Sequence, residues 1–502
     1  MNENSFYRKK WQIIKQETSG AIEDLVRLSR QIAYSFMDYY LQNGHYEEDY
    51  IDLLCEMATF FPESQRNAPA ARTLFAIIVE SLCDDFEELQ TETYNRVMAQ
   101  VITYCRKIPS GEALDKFLKN FSLNSCQDIL DRIYLVRHKQ NVLAERKNVK
   151  KIILLSRVTI GADIAISTII IERLSKSFPE SEIVVLGDPK LEEILGDNPK
   201  VRICPIAYSR RGGLMERLST WYVVLEAVQR EVSSLSEGET IVVDTDSRLS
   251  QLGILPLVPL KDYYFFPSRT SDFGSSNVSM GKLTNEWLNV LLKKQENSYP
   301  AVWPMALKEG YIHNLCHKVR ACGAKRIIAI NFGVGGNPRK KLSKAFEEKL
   351  LASLLQEHDT VLFLDKGFGK EEVTYTESLL QSIENRGYPR KDIVLADKTN
   401  HDIKISAGII GIESNIGEMA ALIYECDEYI GYDSACQHIA AAIGTPCLTL
   451  FAGSNNMRFI RRWSSYGPKD CHIIHVDTLS DPTALDTEDI LTRIQHVREK
   501  RA

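Results

Sequence analysis

Apolar residues recur at three- and four-residue spacing through about the first 147 positions, where glycine and proline are sparse. Within 21–42, the residues Ile22, Leu25, Leu28, Ile32 and Phe36 fall on one stripe, which predicts an amphipathic helix. The same spacing predicts helices over 49–60, 70–89, 91–106, 111–120 and 124–146, separated by polar breaks that include 61–69. This reads as an all-α domain of five to seven helices, with Tyr34, Tyr39, Tyr40 and Tyr46 in its core and rim.

At Val149 the period changes. "VKKIILLSR" is a short apolar run bounded by charge, and "DIAISTIIIERLSKSF" after it has helical spacing. "SEIVVLGDP", "VRICPI" and "ETIVVDTDS" continue the series of strands. After an irregular stretch around 293–304 the pattern restarts with "AKRIIAINFGVGGNP", followed by a helix over 343–357, then "TVLFLDKG", "EYIGYD" and "PCLTLF". Strands alternating with helices predict parallel sheets covered on both faces. The chain is therefore expected to hold a helical domain (1–147) and two Rossmann-like domains (148–304 and 305–502), with a ligand cleft between the latter two.

Composition narrows the field only a little. The 502 residues are 44% hydrophobic and 25% charged, with a formal charge of −6, so nucleic acid is not the expected partner. No apolar run reaches the roughly 18–20 residues of a membrane span, and the first residues lack a signal-peptide core. Eleven scattered cysteines without a CxxC pair suggest reduced thiols and a cytoplasmic setting. The basic, amphipathic 8–15 segment leaves room for peripheral contact with a membrane face. His313, Cys316, His317 and Cys322 come nearest to a metal cluster, but a surface helix of mixed composition explains them equally well, and no metal is expected.

Three stretches carry candidate chemistry. In "GYDSACQHIAAAIGTP" a strand gives way to a small-residue helix whose mouth holds Asp433, Ser434 and His438. Free N–H groups and the helix dipole attract phosphate there, and Ser434 and His438 add donors one turn apart; an ordinary Asp/Ser cap would look the same. "NFGVGGNPRKK" follows a strand with Gly333, Gly335 and Gly336, which permit close backbone approach, and then Arg339, Lys340 and Lys341, whose charge suits a diphosphate. It lacks the ending of a P-loop. In "LLSRVTIGADIAIS", Asp163 stands where a strand passes into a helix, as a general base or as a plain helix cap.

Taken in order, these motifs resemble glycosyltransferase family 9, the ADP-heptose heptosyltransferases, over about residues 150–477, with "DSACQHIAAAIGTP" the most specific part. The resemblance implies the GT-B fold, two facing Rossmann-like domains, and inverting transfer without a metal cofactor from a nucleoside-diphosphate sugar, ADP-heptose among the candidates. It implies Asp163 as the base that deprotonates the acceptor hydroxyl and Arg157 as the family's basic residue six positions earlier. Arg339 or Lys340 would hold the donor phosphates beside Gly335 and Gly336; Phe346, seven positions after Arg339, fits the family's aromatic. Glu371 would contact the nucleoside, and Asp433, Ser434, Ala435 and His438 the diphosphate and sugar. Arg248, just past a strand end, is an acceptor-side residue by position alone.

Several departures stand out. The order is Gly161-Ala162-Asp163 where the family has Gly next to Asp, Ala435 replaces a glycine, and "AGSNN" replaces the usual Gly-Pro loop. The helical domain is outside the family unit; it could dock a glycan or protein acceptor, form a homo-oligomer interface, or sit against the catalytic cleft as a lid. Two competing readings are a non-catalytic nucleotide-sugar scaffold with a GT-B fold and a nucleotide-sugar epimerase.

Overall fold

The computed structural model describes residues 3–16, 21–82, 86–138, 142–208, 212–269, 277–398, 403–480 and 485–500. Among the described residues, every regular element before residue 150 is helical. Helix Ile22–Asn43 buries Leu25, Leu28, Ile32 and Phe36, four of the five stripe residues, and leaves Ile22 exposed at its start. The 61–69 stretch, expected as a break, is partly helical: Ser64–Thr73 contains Pro69 and runs into a π segment, Leu74–Val79. A proline inside a helix costs about 3 kcal/mol. Burial of Ala70, Ala71, Leu74 and Ile78 on the following turns offsets that cost.

Twelve strands follow among the described residues. β1 (Lys151–Leu155), β2 (Glu182–Gly187), β3 (Val201–Pro205), β4 (Thr240–Asp244) and β5 (Tyr263–Phe265) form a sheet in the order β3-β2-β1-β4-β5. β6 (Arg326–Asn331), β7 (Thr360–Asp365), β8 (Arg390–Val394), β9 (Gly408–Glu413), β10 (Glu428–Tyr432), β11 (Cys447–Phe451) and β12 (Cys471–His475) form another. Its order is β12-β11-β10-β6-β7-β9-β8, and every pairing is parallel. Two helix-flanked sheets after a helical region make up the α/β, GT-B-type fold that the resemblance implies. β10 and β11 are buried along their whole length, as strands covered on both faces must be. Their Ile430, Leu448 and Leu450 pack in one core with Leu362, Leu364, Phe346 and Leu350.

The chain packs as two compact units, 1–158 with 186–188 and 204–273, and 159–185 with 189–203 and 274–502. Each sheet has a point where the order of strands reverses. In the seven-stranded sheet it lies between β6 and β10, and in the five-stranded sheet between β1 and β4. Open parallel sheets bind ligands beyond the strand ends at such points.

Candidate functional site

The reversal point of the seven-stranded sheet brings two of the three motif loops together. Lys340, after β6, donates from Nζ to Asp433 Oδ2 at 2.5 Å, directly after β10. Asp433 Oδ1 accepts from Gln437 Nε2 at 2.6 Å, one turn into helix Ala435–Ile443. The capping alternative for this helix does not hold. Ser434 stands at the N-cap position, yet its side chain makes no cap hydrogen bond. Its hydroxyl is buried without a hydrogen bond of normal geometry, near the equally buried Tyr429 hydroxyl. The first-turn N–H groups therefore have no side-chain acceptor at this cap.

His438 is buried beside this pair, with Trp463 edge-on at 6.2 Å. Burial pushes its imidazole down to about 4; Asp433 pulls the other way, and Lys340 adds to the lowering. The ring is neutral at pH 7 and has one N–H to give. A neutral donor, a latched lysine cation and a helix start together suit a polyanion.

The third motif packs against the same helix. A Cβ on Gly161 would lie 3.1 Å from Ala435 Cα and 3.3 Å from His438 Cδ2, tighter than ordinary contact. A side chain at residue 161 would make helix Ala435–Ile443 give by a few tenths of an ångström. Asp163 follows two residues later, and it is not a helix cap: its N–H already donates to Thr159 O at 2.9 Å, and the cap position is Thr159. Its Oδ1 accepts from Ser167 Oγ at 2.6 Å, and the residue is only 2% exposed. Asp163–Ser167 form a π segment between the α turn Ile160–Ala162 and helix Thr168–Ser177. Wide turns of this kind recur at functional sites.

Gly335 and Gly336 take φ of 60° and 82° in the loop after β6, with open space where a Cβ would stand. Backbone conformation, not crowding, calls for glycine here. Arg339 is exposed, and its carbonyl lies under Gly453, where a Cβ would come within 2.5 Å of it. The "AGSNN" loop after β11 is thus seated on the basic loop. Phe346 is a core residue under this sheet. Glu371 is exposed in the first turn of helix Lys370–Asn385 and makes no contact with the Lys340–Asp433 pair among the described residues.

Beneath the basic loop is a buried carboxylate. Glu347 takes the Tyr432 and Tyr375 hydroxyls, each at 2.8 Å, and Tyr432 in turn accepts from Leu342 N at 3.1 Å. Burial pushes Glu347 up to about 7, against the pull of Tyr375, Lys341 and Tyr432. A carboxyl raised on folding favours the folded state below its unfolded pKa, and that contribution is lost as pH rises through 7. The Glu347→Gln variant is expected to gain stability over the parent at pH 8, by at most about 3 kcal/mol, and little at pH 4. Urea unfolding at both values measures the difference; equal offsets at pH 4 and pH 8 refute it.

The other two predicted site residues lie at the reversal point of the five-stranded sheet. Arg157 is buried; its Nη1 donates to Thr245 O at 2.7 Å and to Ser268 Oγ at 3.1 Å and lies 3.6 Å from Asp246 Oδ2. Arg269 pairs with the same oxygen, and Arg137 comes within 4.0 Å of Asp246 Oδ1. Burial alone would raise Asp246, but Arg269, Arg157 and Arg137 outweigh it and hold the carboxyl below the usual range. Arg157 is thus engaged in a buried ion cluster. Arg248 begins a 3₁₀ turn, Arg248–Ser250, on the loop after β4.

Sequence reasoning overlooked several members of the site. Gln437 ties Asp433 to the helix, and Ser465 Oγ donates to its Oε1 at 3.0 Å. At the ends of β6 and β7, Asn331 Nδ2 donates to Asp365 Oδ2 at 2.5 Å, and burial pushes Asp365 up to about 6. A polar residue closing an apolar run, as in "IAIN" and "LFLD", was the available signal.

The family model for glycosyltransferase family 9 (heptosyltransferase) matches residues 391–484, which include the whole Asp433–His438 stretch. Lipopolysaccharide heptosyltransferase 3 of Escherichia coli is 22% identical over 324 residues, 60% of this chain and 84% of that protein. Among solved structures, a glycosyltransferase family 9 protein from Veillonella parvula has 17% identity and a TM-score of 0.47, covering 70% of this chain and 98% of its own. The ADP-heptose heptosyltransferase II of E. coli has 12% identity and a TM-score of 0.44, covering 70% and 100%. The chain is thus similar to glycosyltransferase family 9 heptosyltransferases, most directly over residues 391–484.

Proposed function

We propose that the chain moves a sugar from a nucleoside-diphosphate donor, ADP-heptose first among the candidates, to an acceptor hydroxyl with inversion and without a metal. The observation that carries this reading is the Lys340–Asp433 pair at the mouth of helix Ala435–Ile443, beside the turn that bears Asp163. Asp163 takes the acceptor proton as the acceptor oxygen bonds to the anomeric carbon and the bond from that carbon to the phosphate oxygen breaks. One displacement needs one base and inverts the centre. Lys340 leaves Asp433 for the departing diphosphate, which the helix start, Ser434 and His438 also receive. The carboxyl edge of β4, with Arg248, serves the acceptor, a glycan or protein. Among the described residues no helix is long and apolar enough to cross a membrane; work at a membrane surface would be peripheral.

Calorimetry with ADP, UDP, GDP and CDP, followed by ADP release from ADP-heptose with heptose-free lipopolysaccharide as acceptor, tests the reading. ADP is expected to bind selectively. Loss of the charge-assisted contact in Lys340→Met should weaken it by about 10- to 100-fold. Tight ADP binding without turnover would favour a nucleotide-sugar scaffold, a reading that the buried Asp163 supports. Sugar conversion without acceptor or ADP release would point to an epimerase.

A further inference from the structure

We infer that two arginines of helix Cys126–His138, Arg132 and Arg137, position the loop after β4 and with it Arg248, so that the helical region is a working part of the acceptor side. The inference rests on the acceptor-side reading of that sheet edge given above.

The loop needs holding. Asp246, Gln251 and Leu252 have φ of 66°, 52° and 58°, and Gly253 has 85°. Three non-glycine residues in the left-handed region within seven positions is a conformation that persists only where the surroundings over-determine it. Part of the hold is local: Asp244 accepts from Ser247 N at 2.7 Å and from the Ser250 hydroxyl. The carbonyls of 252, 253 and 254 point elsewhere. Arg132 Nη1 donates to Gly253 O and, at 3.1 Å, to Ile254 O; Arg137 Nη2 donates to Leu252 O at 3.4 Å. Both side chains are buried, with their guanidinium groups over the β5 rings of Tyr263 at 5.3 Å and Phe265 at 5.2 Å.

Docking of a helix onto a sheet needs only apolar surface. Here two charges are withdrawn from water and set against three consecutive carbonyls of a strained stretch of the sheet edge, with Arg137 also facing Asp246 at the start of the same loop. Arg248 lies inside the stretch so held. It lines a pocket whose other wall includes Phe75, Val79 and Tyr94 of the helical region. The helical region and the loop thus meet twice, through helix Cys126–His138 at the carbonyls and through Phe75, Val79 and Tyr94 at the pocket.

The test uses the full chain with Arg137→Met, Arg137→Lys and the Arg132→Met/Arg137→Met pair. Amide exchange across 246–254 should rise by about tenfold or more in the double variant, while β6 and β10 keep parental protection. Arg137→Lys, which keeps a cation but loses the fork, should restore part of the protection lost in Arg137→Met. In the transfer assay, KM for heptose-free lipopolysaccharide should rise by about tenfold while KM for ADP-heptose stays within about twofold. Parental loop exchange in the double variant overturns the inference, and so does an equal rise in both KM values. If the parent itself neither binds ADP nor transfers heptose, the proposed function fails, and the acceptor role inferred here falls with it. Should the double variant not fold, Arg137→Lys decides alone, and parental exchange and KM in it count against the inference.

Discussion

Asp163→Asn is expected to lower the transfer rate by about 10²- to 10⁴-fold, the usual range for losing a positioned general base, with the ADP dissociation constant nearly unchanged. The substitution suits the site because asparagine keeps the shape and can still accept from Ser167 Oγ, now 2.6 Å from Asp163 Oδ1. It also keeps the backbone bond from residue 163 to Thr159 O. What it removes is the capacity to take a proton. The site proposed for ADP lies on other elements, so affinity for ADP and transfer rate should separate. Steady-state kinetics and calorimetry on one preparation decide it: transfer at the parental rate would mean that the proton leaves by another route, and Asp163 would then be a packing residue.

The second large effect concerns stability. Asp246→Ala is expected to destabilise the first unit by about 3–5 kcal/mol, because it strands buried charge in place of a pair. Arg137, Arg157 and Arg269 all turn toward this one carboxylate, and each is under 10% exposed. Asp246 is below the usual carboxylate range in the folded chain. Its contribution is present above the unfolded pKa and is lost as pH falls through the folded value. The gap between parent and variant should therefore be widest at neutral pH and close under acid. Urea unfolding at neutral and acidic pH, followed by a probe in the first unit, reads both. A gap under about 1 kcal/mol at pH 7, no larger than a surface ion pair, would show that the arginines are compensated without Asp246.

Much of this was legible from residue pattern. The strand-to-helix handovers at Asp163, Gly335–Lys340 and Asp433–His438 could be placed because each joins an apolar run to small or charged residues. Periodicity could not say whether Asp163 and Ser434 were caps, since that depends on which N–H groups are already taken. It also passed over β5, three residues long, β8, whose Arg390, Lys391 and Asp392 lack an apolar run, and β9 and β12. β8 and β12 are sheet edges, where half the surface meets other than strand. Arg157 resembled a ligand residue in sequence because its partner, Asp246, is 89 positions away. The attachment of the helical region was invisible for the same reason: Arg132 meets Gly253 and Ile254 across more than a hundred residues.

The π segment at Asp163–Ser167 bears on the unusual spacing of Gly161-Ala162-Asp163. A π turn houses one residue more than an α turn, so an added residue can be carried inside a helix without shifting what lies beyond it. Ala162 has the character of such a passenger. Gly161 keeps its close seat against Ala435, helix Thr168–Ser177 keeps its buried Ile169, Ile170 and Leu174, and the surplus is absorbed between them, at Asp163. Deleting the one alanine would place glycine directly before aspartate and let the widened turn close to α geometry. The departure from the family pattern at this turn would then be a matter of helical register, written into the chain as a single reversible step.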